Sequence, residues 1–201
     1  MFLTRHYSFI SFNRSISPPQ AWRTLTLSQN IHYNENRTPC QRPNPHSQKN
    51  MAFRTHMDAA LNEARTAASR GEVPVGAVIV SPTGLVIATA GNRTRELNDP
   101  LAHAEILAIR AACAELGQER LTGHDIYVTL EPCPMCAAAI SNARLARLYY
   151  GASDPKSGGV AQPPRVFSHP QCHHAPEVYD GLSAGESEIL LKSFFAKRRG
   201  S

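Results

Sequence analysis

From residue 55 onward the chain switches between helical and strand periods. Met57, Leu61, Ala64 and Ala68 recur at helical spacing and predict a helix. Thr55 and Asp58 resemble a capping box at its start, and Gly71 ends it. The apolar run 75–80 reads as a buried strand, Ser81-Pro82-Thr83-Gly84 as a turn and 85–90 as a second strand, so the two form a hairpin. Gly91-Asn92-Arg93 follows as a loop. Beyond the stop at Pro100, residues 102–116 predict a helix with Ile106, Leu107, Ile109 and Cys113 on its apolar side and Gly117 past its end. Residues 126–130 are a third strand that runs into Glu131-Pro132-Cys133, 135–142 a helix and 145–150 a strand. A long loop over 151–170 contains Gly158-Gly159 and Pro163-Pro164, and loops of that length are usually functional or disordered. A short strand at 177–181 and a helix at 183–197 close the pattern, the helix packing through Ile189, Leu190, Phe194 and Phe195.

Strand-helix-strand units place parallel strands side by side with helices on both faces. The pattern therefore predicts an α/β fold of three αβα layers around a mixed sheet of about five strands. Residues 1–50 lie outside it. Five prolines (Pro18, Pro19, Pro39, Pro43 and Pro45) break them up, and no period lasts more than a few residues. They read as a disordered N-terminal extension, leaving residues 51–201 as the domain. Three origins stay open: sequence upstream of a true start at Met51, an Arg- and Ser-rich targeting segment, or a functional arm.

Charge changes this picture only by its location. The net +5 sits wholly in the first fifty residues, where six Lys/Arg face the single acid Glu35; the remainder carries fifteen of each sign. The domain therefore has no general positive field with which to attract nucleic acid. No apolar run reaches the ~18 residues of a membrane span. Five cysteines, two of them suited to a metal, argue against a disulfide framework and for a reducing compartment.

The chemistry concentrates at two short stretches. Cys133 and Cys136 are three apart, hence on one face of a helix whose first position suits Pro134. Both thiols then sit at a helix N-terminus, which favours the metal-binding thiolate. His103 can supply a third ligand. Three protein ligands leave one tetrahedral position open, the arrangement of a catalytic rather than a structural zinc. Glu105, two residues from His103, can reach a water in that position as a general acid–base. Cys113 reads as a small core residue. Cys172-His173-His174 looks like a metal pattern, but adjacent loop histidines generally point apart and no carboxylate stands near to orient them.

His-Ala-Glu followed by Pro-Cys-x-x-Cys resembles the general signature of zinc-dependent nucleobase deaminases. Residues 52–199 further resemble the bacterial tRNA-specific adenosine deaminases. The resemblance runs through 73–78, Gly91-Asn92-Arg93, the His103 motif, 127–133, Tyr150-Gly151-Ala152 and Phe194-Phe195, in order and at that family's spacing. It implies a cytidine deaminase-like fold, one zinc per subunit, and deamination of the wobble adenosine of a tRNA anticodon to inosine by a cytoplasmic homodimer. It also implies that Asn92 contacts the flipped nucleoside and that Asp154 and Lys156 lie in a loop meeting the anticodon backbone. His169 matches the family, whereas Ser168 stands where a histidine is expected. Lys197, Arg198 and Arg199 are either a solvated tail or phosphate contacts. Two other classes share the metal ligands: a deaminase of free bases or nucleosides, which needs a closed pocket, and a silent zinc module that only binds RNA, in which Glu105 would have no task.

Overall fold

The computed structural model describes residues 45–199, with side chains from His56 onward. Its elements are α1 (Pro45–Ser69), β1 (Gly76–Val80), β2 (Val86–Gly91), α2 (Ala104–Leu116), β3 (Asp125–Leu130), α3 (Pro134–Asn142), β4 (Arg147–Ala152), a 3-10 turn (Val166–Ser168), β5 (Glu177–Tyr179) and α4 (Ala184–Arg199). The five strands form one sheet in the order β2-β1-β3-β4-β5. β1 is antiparallel to β2 and to β3; β3, β4 and β5 run parallel. The hairpin and the parallel strand-helix-strand unit anticipated from the sequence are both present. Among the described residues no helix is long and apolar enough to cross a membrane.

Alternation along the strands gives the sheet two apolar faces and so two cores. Ala77, Ile79, Ile126, Val128, Leu148 and Tyr150 face α2 and α3. Val78, Val80, Tyr127 and Tyr149 face α1, with Met57, Ala60 and Leu61 of that helix buried against them. In-register pairing on parallel strands also stacks Tyr127, Tyr149 and Tyr179, with ring centroids 4.5 and 4.8 Å apart, the spacing of neighbouring strands. Helices on both faces of a mixed sheet are the three-layer αβα architecture.

Three sequence expectations are corrected. Helix α1 starts at Pro45, so Thr55 lies inside it and is not its cap. Pro45, counted above as an interruption, instead occupies the first helical position, where its missing N–H is no loss. Extending a helix that already exists is much easier than nucleating one. The extension assigned to residues 1–50 falls outside the described residues except for 45–50, which are helical. In α2 the core face is carried by Ala104, Ala108, Ile109 and Ala112, while Ile106, Leu107 and Cys113 are only partly buried. Small side chains there let the helix axis approach its neighbours. In α4 the contact stripe is Ser187, Leu190, Leu191 and Phe194, and Ile189 and Phe195 are 66% and 43% exposed. That helix covers β4, the adjoining part of β3 and one side of α1, so a narrow stripe suffices.

Candidate metal centre and cleft

β3 ends at Leu130 at the carboxyl edge of the parallel strands, where ligand sites of α/β sheets form. The chain turns through Glu131 and Pro132, and Cys133 takes the N-cap position of α3 in extended backbone geometry (φ −67°, ψ 168°) with Pro134 first in the helix. Cys136 follows one turn on, buried. His103 holds the equivalent N-cap of α2 (φ −72°, ψ 151°) rather than lying in its first turn. Neither N-cap side chain caps its own helix, which leaves both free to ligate. The α2 N-terminus is satisfied from elsewhere: Asn92 Oδ1 accepts the Ala104 N–H at 2.8 Å.

His103 Nδ1 stands 3.8 Å from Cys133 Sγ and 3.5 Å from Cys136 Sγ. A tetrahedral zinc, with bonds of ~2.0–2.1 Å to nitrogen and ~2.3 Å to sulfur, holds those atoms ~3.6 Å apart. The three donors therefore fit one zinc ion, and among the described residues they are the group of three suited to a metal. Hydrogen bonds from Cys136 and His103 hold Cys133 down to about 4, against burial, and the bond to Cys133 together with burial pushes Cys136 up. The hydrogen bond to Cys133 also raises the His103 imidazole against the opposing effect of burial.

Glu105 is 3% exposed, and its Oε2 is buried without a hydrogen-bond partner. Burial pushes its carboxyl up, opposed by its own backbone N–H and by His103. An unpartnered buried carboxylate oxygen is costly and calls for an explanation. Of the three buried side-chain oxygens without a hydrogen-bond partner among the described residues, the others being on Asp125 and Ser187, Glu105 Oε2 is the one beside the metal donors. Glu105 lines the cleft above the metal ligands together with Val73, Val75, Asn92, Leu130 and Asp154.

The remaining expected residues are divided. Asp154 reaches the cleft, and its Oδ1 accepts the N–H groups of Lys156 and Ser157, shaping the turn. Lys156 is exposed on that turn, outside the cleft lining. His169 lines a separate hollow between α3 and the 164–173 loop, which holds none of the metal ligands. Lys197, Arg198 and Arg199 end α4, exposed and outside the cleft lining, with the Arg198 guanidinium 5.2 Å from the Phe194 ring centre. In the Cys172-His173-His174 stretch, His174 Nε2 donates to the Leu145 carbonyl, and the His173 and His174 carbonyls accept from Arg144 and Ser141. These bonds tie the loop to the end of α3.

Two buried carboxylates beside the cleft have no role in the sequence reading. Glu72 is fully buried and accepts from Thr94 Oγ1, Arg95 N–H and Glu96 N–H, holding the loop that follows Asn92. Glu131, also buried, holds the loop that follows Asp154. The available signal was an isolated acid abutting an apolar run, since a buried acid needs partners.

Residues 52–152 match the cytidine and deoxycytidylate deaminase zinc-binding region. The chain is 64% identical over 150 residues to the tRNA-specific adenosine deaminase of Agrobacterium fabrum, covering 74% of this chain and 98% of that one. It is 51% identical over 144 residues to the tRNA-specific adenosine deaminase of Rickettsia bellii, covering 71% and 99%. A solved structure from work on A-to-I editing by tRNA:A34 deaminases at the wobble position of transfer RNA superposes with a TM-score of 0.67 at 64% identity, covering 68% of this chain and 99% of that one.

Proposed function

The chain belongs to the cytidine and deoxycytidylate deaminase family, and within it to the tRNA-specific adenosine deaminases, and we propose that it converts the wobble adenosine of a tRNA anticodon to inosine by hydrolysis. The observation that carries the chemistry is the unpartnered Glu105 Oε2 beside the three-donor metal site. The substrate rests on the relatives, whose names specify tRNA.

His103, Cys133 and Cys136 hold the zinc. When bound, zinc supplies the Lewis acidity that makes water a competent nucleophile near pH ~7. Glu105 accepts a proton from the water that attacks carbon six of adenine and passes it to the adjacent ring nitrogen. It then takes the remaining proton from the new hydroxyl on carbon six and gives it to the departing amine. Ammonia leaves, and the water oxygen becomes the inosine carbonyl. Raising the Glu105 carboxyl by burial suits a group that must both take and give a proton.

Asn92 spends its Oδ1 on α2, so its NH2 group is the part that meets the nucleoside. The cleft, about 200 Å³, is smaller than the roughly 300–1,000 Å³ of pockets that enclose a whole drug-sized ligand. It admits a base and leaves the rest of the nucleotide outside, which suits a base extruded from a single-stranded loop. Asp154 and Lys156 then face the anticodon backbone, His169 flanks the loop, and Lys197, Arg198 and Arg199 meet phosphates. The activity is assigned to residues 51–201, acting as a homodimer in the cytoplasm.

The test is ammonia release from a wobble-adenosine anticodon stem-loop, with free cytidine and free guanine in parallel. Turnover confined to the stem-loop is expected. Turnover of a free base alone overturns the reading.

A further inference from the structure

We propose that Glu131 is a positioning residue for the reaction, fastening the substrate loop to the turn that carries the metal ligands. The inference rests on the reading that the cleft receives the flipped adenosine. The Glu131 side chain lies at the end of β3, 2% exposed, two residues before Cys133. Its Oε2 accepts the Asp154 N–H at 3.1 Å. Its Oε1 accepts the N–H groups of Val160, Ala161 and Gln162 at 3.2, 2.9 and 3.2 Å. One carboxylate thus holds both ends of the loop 154–162, whose Asp154 and Ser157 line the cleft.

The middle of that loop rests directly on the metal-ligand turn. Gly159 N–H donates to the Pro132 carbonyl at 2.9 Å, and a Cβ on Gly159 would lie 2.6 Å from the Pro134 nitrogen. A Cβ on Gly158 would lie 2.5 Å from the Glu131 carboxyl. The loop can approach so closely only because these two residues lack side chains. Charge-assisted bonds to main-chain N–H groups are stronger than neutral ones. Glu131 itself borders the cleft, but both its oxygens already accept, so the residue acts through the loop: it fixes how far Asp154 and Ser157 stand from the metal ligands, and hence how the substrate is gripped.

The experiment uses the zinc-loaded full chain and its Glu131→Gln and Glu131→Ala variants. Glutamine keeps one acceptor oxygen, which three donors claim, and turns its NH2 group on the Asp154 N–H. Amide exchange in the absence of RNA should therefore quicken at Asp154 far more than at 160–162 in Glu131→Gln, and at both ends in Glu131→Ala. Zinc should remain at one per chain in both. KM for the stem-loop should rise about tenfold, the scale of one lost bond to a charged group, with a smaller change in kcat.

Unchanged exchange at Asp154 overturns the proposal, and so does a fall in kcat with KM unmoved. A Glu131→Gln chain that sheds zinc or fails to fold also overturns it, because the residue would then be holding up the metal turn itself. If the unmodified chain turns over no stem-loop, the proposed function fails, while the exchange pattern still decides whether Glu131 fastens the loop.

Discussion

The floor of the cleft and its two walls are each built around a buried glutamate, and the three differ in what surrounds their oxygens. On the floor, Glu105 keeps one oxygen without a donor. In the walls, Glu72 collects three donors and Glu131 four, all but one of them main-chain N–H groups. Burial alone does not distinguish them. A carboxylate saturated with donors is a fastening, because moving it breaks several bonds at once. A carboxylate left short of donors in a dry site has unspent capacity for a proton, a water or a ligand.

The contrast breaks most decisively at Glu105. Glu105→Gln should retain zinc and fold yet lose turnover by ~10²-fold or more, the scale of general acid–base catalysis. Inosine formation and metal content measured on the same sample check this; near-normal activity would return Glu105 to the fastening class. Next comes Glu72→Ala, which strips three bonds from the 94–96 segment in a buried place. A loss of about 2 kcal/mol in urea unfolding is expected, with KM rising several-fold and zinc unchanged. A stability loss below ~0.5 kcal/mol would place it among ordinary surface substitutions.

A smaller effect is expected outside the cleft. Changing Lys156, Lys197, Arg198 and Arg199 together to Ala should weaken stem-loop binding and flatten its salt dependence by about 0.7 per lost phosphate contact. Turnover at saturating RNA should hold, since none of the four lines the cleft. An unchanged slope would make them solvated surface and direct attention to Arg93, Arg95 and Arg165. Smallest of all, a chain starting at Met51 loses six helical residues of α1 but keeps Met57, Ala60, Leu61 and Ala64, its buried face. Activity and unfolding midpoint should stay close to those of the full chain, and precipitation of the shortened protein would show that the upstream segment supports the domain.

The same contrast explains what could be read from the chain. The floor was legible because its geometry is local: Cys133 and Cys136 are one helical turn apart, Glu105 is two residues from His103, and apolar runs mark the strands that carry them. The walls were not, because Glu72 and Glu131 are defined by loops that return from 22 to 31 residues further along and offer main-chain N–H groups, apart from the one Thr94 hydroxyl. Nothing in Val160, Ala161 or Gln162 as residue types announces that their N–H groups meet a carboxylate. The helix misreadings have another origin. Periodicity locates apolar residues without saying how wide a face the tertiary structure covers, so α2 packs through alanines while Ile189 and Phe195 of α4 face outward.

Fastening by main-chain N–H groups separates a loop's path from its composition. Ala161 and Gln162 could be exchanged for many types but not proline, which lacks the donor, whereas Val160 also packs against the core. Arg95 and Glu96, whose N–H groups Glu72 holds, also use their side chains, Arg95 on the Gly71 carbonyl and Glu96 on Arg70 and Arg93. Side chains along these loops can therefore change one at a time over a frame whose course stays put. The three metal donors and Glu105 have no such freedom, because there the side-chain atoms themselves form the site.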